Sequence, residues 1–163
     1  MTDNQLNNED MHDYRTVALA AARFATVGEN ADRYLFSINL KHKMVTFPIG
    51  KCRPNEGLLD GLVREMQEEL GLFLQTEHLS KKPYCTFTKP YWFTGQLVKV
   101  ETNVFCAAGP YGKWICSNSK NNEPEKCGGI FLATIDDAIN IAKTTGLLIA
   151  DCVMYFRQCR MDK

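Results

Sequence analysis

The stretch that decides this chain runs Gly50-Lys-Cys-Arg-Pro-Asn-Glu56-Gly-Leu-Leu-Asp60-Gly-Leu-Val-Arg64-Glu65-Met-Gln-Glu68-Glu69-Leu-Gly71-Leu72. From Leu58 to Leu70 it has helical periodicity. Leu59, Val63, Met66 and Leu70 recur at i, i+4, i+7 and i+11, a stripe suited to packing on a core. Glu65, Glu68 and Glu69 recur at i, i+3 and i+4, so a helix gathers three carboxylates on one face. The residues four places after them are Glu69, Leu72 and Phe73, so no downstream lysine offsets their repulsion. One reading is a solvated acidic face. The other is a cation site: clustered oxygen ligands suit Mg²⁺ or Mn²⁺, usually completed by water and substrate phosphate. Arg64, beside Glu65, has the fork geometry to hold a neighbouring carboxylate through two nitrogens.

Outward from this segment, the pattern shifts to short strands. Tyr34 to Ile38 and Met44 to Phe47 read as strands around a turn at Lys41-His42-Lys43, and Pro48-Ile49-Gly50 interrupts the pattern. Arg15 to Phe24 is mostly apolar and fits either a strand or a short helix. Downstream, Gln96 to Ala108 alternates as a long strand and Gly128 to Thr134 reads as a buried one. Thr134 opens a short helix over Asp136 to Lys143, Gly146 ends it, and Leu147 to Cys159 forms a last helix. Residues 1 to 14 are polar and aperiodic and read as a loose tail, which leaves 15 to 163 as one domain.

Composition narrows the function classes. The chain has 163 residues, 45% apolar and 23% charged, the profile of one globular domain. Nineteen basic residues balance nineteen acidic ones, which argues against a dedicated, strongly basic nucleic-acid binder. No apolar run is long enough for a membrane span and no secretory leader is visible, so a cytoplasmic location is expected. The seven cysteines are scattered with no Cys-x-x-Cys pair, a poor disulfide or zinc framework, and are expected to be small apolar fillers.

The quoted segment also fits the Nudix box, Gly-x5-Glu-x7-Arg-Glu-U-x-Glu-Glu-x-Gly-U, where U is bulky and aliphatic. Gly50, Glu56, Arg64, Glu65, Glu68, Glu69 and Gly71 stand at its fixed positions, and Met66 and Leu72 at the U positions. The chain therefore resembles the Nudix hydrolases. Phe47-Pro48-Ile49-Gly50 is similar to the family's strand-Pro-Gly-Gly entry, with Ile49 in place of the first glycine. Asn121 to Cys127 (Asn-Asn-Glu-Pro-Glu-Lys-Cys) is similar to the Asn-x-Glu-Pro-x-Lys-Cys segment of some MutT-like nucleotide pyrophosphatases, although the tryptophans of the strand that follows are missing.

The resemblance implies an α/β (α+β) fold, an α/β/α sandwich with a mixed central sheet. It implies Mg²⁺- or Mn²⁺-dependent hydrolysis of a nucleoside diphosphate linked to another group. Carried over by position, Glu65, Glu68 and Glu69 are metal ligands together with the Ile49 carbonyl. Arg64 and Glu56 orient the set. Glu123 is an additional ligand or a base, and Lys51 and Arg53 meet phosphate oxygens. A nucleoside triphosphate is the preferred substrate; ADP-ribose, dinucleoside polyphosphates and capped RNA ends are the alternatives. A third reading is a non-catalytic nucleotide sensor, which the intact acidic set disfavours. Tyr84, Tyr91, Trp92, Phe93 and Trp114 are candidates to stack on a base, each more often a packing residue. Lys81, Lys82 and Lys89 beside them would suit single-stranded RNA, a partner that zero net charge does not favour. A homodimer is compatible with this reading. His12, His42 and His78 stand alone and are assigned no role.

Overall fold

The computed structural model describes residues 16–28, 32–93 and 95–161. The proposed tail over 1–14 lies outside them. In chain order the elements are β1 (Thr16–Arg23), β2 (Ala25–Thr26), β3 (Arg33–Asn39), β4 (Met44–Thr46), β5 (Ile49–Lys51), α1 (Leu58–Leu70), a 3₁₀ turn (Thr76–His78), β6 (Cys85–Phe93), β7 (Gln96–Cys106), α2 (Gly109–Asn118), β8 (Cys127–Ala133), α3 (Ile135–Thr145), β9 (Leu148–Ile149) and α4 (Asp151–Met161).

One sheet has the order β5-β1-β7-β6, with β1 and β7 parallel and the other pairs antiparallel. The second runs β2-β3-β4-β9, with β8 on the other edge of β3 and β4 parallel to β9. Side-chain alternation along the central strands divides the interior in two. Ala20 and Ala22 of β1, Leu35 of β3 and Phe105 of β7 join α1 and α2 in one cluster. Ala21, Tyr34, Phe36 and Val104, their neighbours in sequence, point the other way and meet α3 and α4. The result is the α/β/α sandwich with mixed pairing. Within the apolar run, Thr16–Arg23 is a strand because both its faces are covered, which is also why it carries no period-two signal.

Three readings are corrected. Pro48 to Gly50 does not simply break the pattern: Ile49–Lys51 pairs antiparallel with β1, Leu19 opposite Lys51 and Ala21 opposite Ile49. The last helix begins at Asp151, because Leu148 and Ile149 are drawn into the sheet beside Met44 and Val45. The short helix after Thr134 runs from Ile135 to Thr145, two residues beyond Lys143; the Thr134 hydroxyl accepts the Asp137 N–H at 3.1 Å, and Gly146 ends the helix in the left-handed region (φ 73°). Strand β6 and helix α2 have no counterpart in the sequence reading. Helix α2 is weakly amphipathic, so its sequence gives little periodic signal.

Candidate active site

The loop and helix from Gly50 to Leu72 form one corner of the sandwich. Leu62, Met66 and Leu70 are buried against β1 and Leu35, and Leu59 and Val63 are half-buried beside them. That anchors one face of α1 and leaves the carboxylate face outward. Each end of the segment needs a glycine for a steric reason. A Cβ on Gly50 would lie 2.1 Å from Glu65 Cγ, so only a bare backbone lets that side chain cross β5. At the other end Gly71 has φ 64°, and a Cβ there would lie 2.9 Å from both Asn122 Nδ2 and Lys120 Cε. The close approach it permits has a purpose. Lys120 N–H donates to the Leu70 carbonyl at 3.2 Å and Asn122 N–H to that of Glu69 at 2.9 Å. The loop thus caps the last carbonyls of α1 and delivers Glu123 beside Glu69.

Arg64 organises the corner. Its Nε and Nη2 donate to the two oxygens of Glu56 at 2.8 and 2.9 Å, the two-nitrogen grip expected of it. Nη2 also donates to the Lys51 carbonyl at 3.1 Å, and Nη1 reaches Glu65 at 3.0 Å and Glu68 at 3.4 Å. One arginine therefore ties the loop to the helix. This corrects the view that the acidic face lacks a cation: Arg64 precedes Glu68 by four residues, so it is the upstream neighbour that offsets the charge. The Arg64 hydrogen bonds, with that of the Arg53 N–H, hold the Glu56 carboxyl down at about 2.

Glu69 is in the opposite situation. Burial first, then the nearby Glu65 and Glu123 and a hydrogen bond shared with Glu65, push its carboxyl up to about 8. Lys126 is the opposing charge that pulls it down, and its ammonium is bound to Glu123 at 3.2 Å. Glu68 is half exposed on the rim (51%). An excess of negative oxygen in a half-buried space is the setting that a hard divalent cation neutralises, so the donor set fits Mg²⁺ or Mn²⁺. Among the described residues no three acidic, His or Cys side chains stand ready as a cage. Mg²⁺ does not require one, since it is commonly held by one or two carboxylates with water and phosphate.

Three cavities surround this corner. Glu69 and Glu123 open on a cleft of about 200 Å³ with Lys41, His42 and Lys126 across it. Lys51, Arg53, Arg64 and Glu65 line a wider one of about 630 Å³. The proposed phosphate-contact residues thus share a cavity with Glu65 and not with Glu69 and Glu123. The third, about 210 Å³, is more apolar and includes Met44, Phe87, Tyr91, Val100 and Asp151. Tyr91 donates its hydroxyl to Asp151 Oδ2, and Lys89 Nζ reaches the same oxygen at 3.2 Å. Ile49 lines both the cleft and the apolar cavity.

Among the described side chains of the aromatic candidates, Tyr91 alone is in this pocket, joined by Phe87, which is not among the base-stacking residues expected from the sequence. Tyr84 packs on Phe156 (ring centroids 5.2 Å apart). Trp92 is exposed and Trp114 stacks on Tyr111, away from this pocket. Phe93's side chain lies outside the description. Lys89 pairs with Asp151 at 3.2 Å. All seven cysteines are free thiols, four of them buried, as expected of fillers.

No family model and no curated protein matches the chain. Solved structures do. A MutT protein from Methanosarcina mazei superposes with a TM-score of 0.63 at 15% identity, over 92% of this chain and 96% of that one. A MutT Nudix hydrolase from Burkholderia pseudomallei gives 0.54 at 19% identity, over 75% and 85%. An Ap4A hydrolase from C. elegans gives 0.53 at 20%, over 78% and 87%. The fold is the Nudix fold. In Nudix terms, the box of the sequence is the loop-helix corner just described, and its acidic residues open on the cleft and the wide cavity beside it.

Proposed function

We propose that the protein is a Mg²⁺- or Mn²⁺-dependent pyrophosphohydrolase of a nucleotide, with a nucleoside triphosphate as its preferred substrate. The single observation that carries this reading is the junction of an acidic cleft, at Glu69 and Glu123, with an apolar pocket at Phe87 and Tyr91. One takes a charged diphosphate and the other a flat base. The pocket's volume, about 210 Å³, suits one base and disfavours a substrate that needs two bases bound there.

Glu65, Glu68 and Glu69, with the Ile49 carbonyl and Glu123, would hold the cation, which supplies charge neutralisation at the diphosphate and a more acidic water. The chain's own residues do the rest. Arg64 fixes Glu65 and the Lys51 backbone, so that the carboxylates keep their spacing through turnover. Glu123, oriented by Lys126 and by the amides of its loop, accepts a proton from the attacking water. Lys51 and Arg53 screen phosphate oxygens from the side of Glu65. Phe87 and Tyr91 exclude water from the base.

A substrate panel tests the reading. Nucleoside triphosphates, ADP-ribose, a dinucleoside polyphosphate and capped RNA are incubated with each metal and the products separated. Nucleoside monophosphate plus pyrophosphate from a triphosphate is the expected result. Two monophosphates from ADP-ribose would move the substrate class, and tight binding with no product from any of them would favour the sensor.

A further inference from the structure

The cleft and the apolar pocket meet at a shared border of Asn39, His42, Thr46 and Ile49. Asn39 ends β3, and His42 belongs to the turn between β3 and β4. Thr46 is buried, and its hydroxyl donates to the Phe47 carbonyl at 2.8 Å. Asn39 has its side-chain oxygen committed to the His42 N–H at 2.9 Å. His42 is exposed, and its ring has basic nitrogens to offer a ligand.

The turn that carries it is built to hold still. Besides the Asn39 bond, Lys43 adopts a left-handed conformation (φ 52°). Leu40 N–H donates to the Lys126 carbonyl at 3.0 Å, and the Lys43 carbonyl accepts from Leu148 at 3.0 Å. Lys126 N–H in turn donates to the Glu123 carbonyl at 2.9 Å. The turn is therefore tied on one side to the loop bearing Glu123 and on the other to β9, the strand that leads into Asp151. A group attached to the base and leading to the metal-bound diphosphate must cross this border. In a nucleotide that group is the sugar and its first phosphate.

We infer that His42 binds the phosphate attached directly to the nucleoside, and so links base recognition to the acidic cleft. This rests on the nucleotide reading above and assigns a phosphate contact outside the Nudix box and apart from Lys51 and Arg53. The imidazole donates an N–H to a phosphate oxygen, a charge-assisted bond whose loss costs roughly 10-fold or more in affinity.

The test leaves the metal out. In EDTA, binding of guanosine, adenosine, cytidine and uridine is compared with that of their 5′-monophosphates by calorimetry, for the wild type, His42→Ala and, as a control on the exposed end of α3, Lys143→Ala. For the base that binds, the wild type should prefer the monophosphate by about 10-fold or more. His42→Ala should bring that preference close to unity with melting temperature unchanged, and Lys143→Ala should keep it. A His42→Ala protein that retains the wild-type preference overturns the inference, as does an equal loss of the preference in Lys143→Ala, and in both cases the nucleotide reading stands. Absence of binding by every nucleoside and monophosphate would remove the nucleotide reading and this inference with it.

Discussion

The box corner and the apolar pocket lie on either side of Ile49, yet they are built by different means. The corner is local: Glu56, Arg64, Glu65, Glu68 and Glu69 fall within fourteen consecutive residues, and one guanidinium binds the loop to the helix. The pocket is assembled from β1, the end of β3 and the turn after it, β4, β5, β6, β7 and the start of α4, with lining residues spread from Leu19 to Cys152. A local device of this kind holds charge at fixed separation. A composite one takes its shape from strands and a helix that can each be altered independently. Under the proposed function this becomes a division of labour: chemistry at the corner, choice of substrate in the pocket.

Substitutions can break that division, beginning with the largest effect. Glu69→Gln and Glu123→Gln should each lower kcat by roughly 10²–10⁴-fold while the melting temperature and metal-free nucleotide binding stay near wild type. Steady-state kinetics beside calorimetry check this; an equal loss of nucleotide affinity would mean that corner and pocket are not separable. Arg64→Ala should cost about 10–100-fold in Mg²⁺ affinity or activity, because Glu56, Glu65 and the Lys51 carbonyl lose the group that fixes them. Arg64→Lys should not restore it, since an ammonium cannot make the two-nitrogen grip.

Phe87→Ala should act on the other side of the comparison. Stacking on a base is worth about 1–3 kcal/mol, so KM should rise roughly 10-fold with kcat and metal affinity little changed. A fall in kcat at constant KM would place Phe87 in the chemistry instead.

The smallest effect is a pH dependence confined to the corner. Glu56 has its carboxyl lowered to about 2 from an ordinary value of 4.5, so its interaction with Arg64 stabilises the fold fully above that ordinary value. The contribution is lost as pH falls from about 4.5 through about 2. The difference in melting temperature between wild type and Glu56→Gln should therefore shrink on going from about pH 6 to about pH 3. A difference that is flat or grows over this range would contradict the assignment.

The same contrast explains what could be read from the chain alone. Leu58 to Leu70 announces itself because 3.6-residue periodicity, a terminal glycine and the carboxylate spacing agree, and the helix is found there to the residue. That Arg64 can hold a carboxylate through two nitrogens is legible from residue type, but that the carboxylate is Glu56, across the loop, is a tertiary contact. Glu123 could be placed near α1 by its motif, whereas the reason it sits there, loop amides capping Glu69 and Leu70, is a tertiary contact. Asp151, His42 and Phe87 carry no local signal at all. Asp151 is a helix-start residue, His42 a turn residue and Phe87 one of several strand aromatics until β4, β6, β9 and α4 come together. Likewise Leu148 and Ile149 extend a helical pattern in sequence, and only the open edge of β4 recruits them as strand.

Under the proposed function the outward face of α1 binds a divalent cation. The direct measurement is Mn²⁺ titration followed by electron paramagnetic resonance, on the wild type and on a Glu65→Gln, Glu69→Gln double variant shown by melting to be folded. Wild type should remove free Mn²⁺ from solution, excess Mg²⁺ should release it, and the double variant should leave it free. Equal uptake by the variant, or none by the wild type with or without a nucleotide, would contradict it.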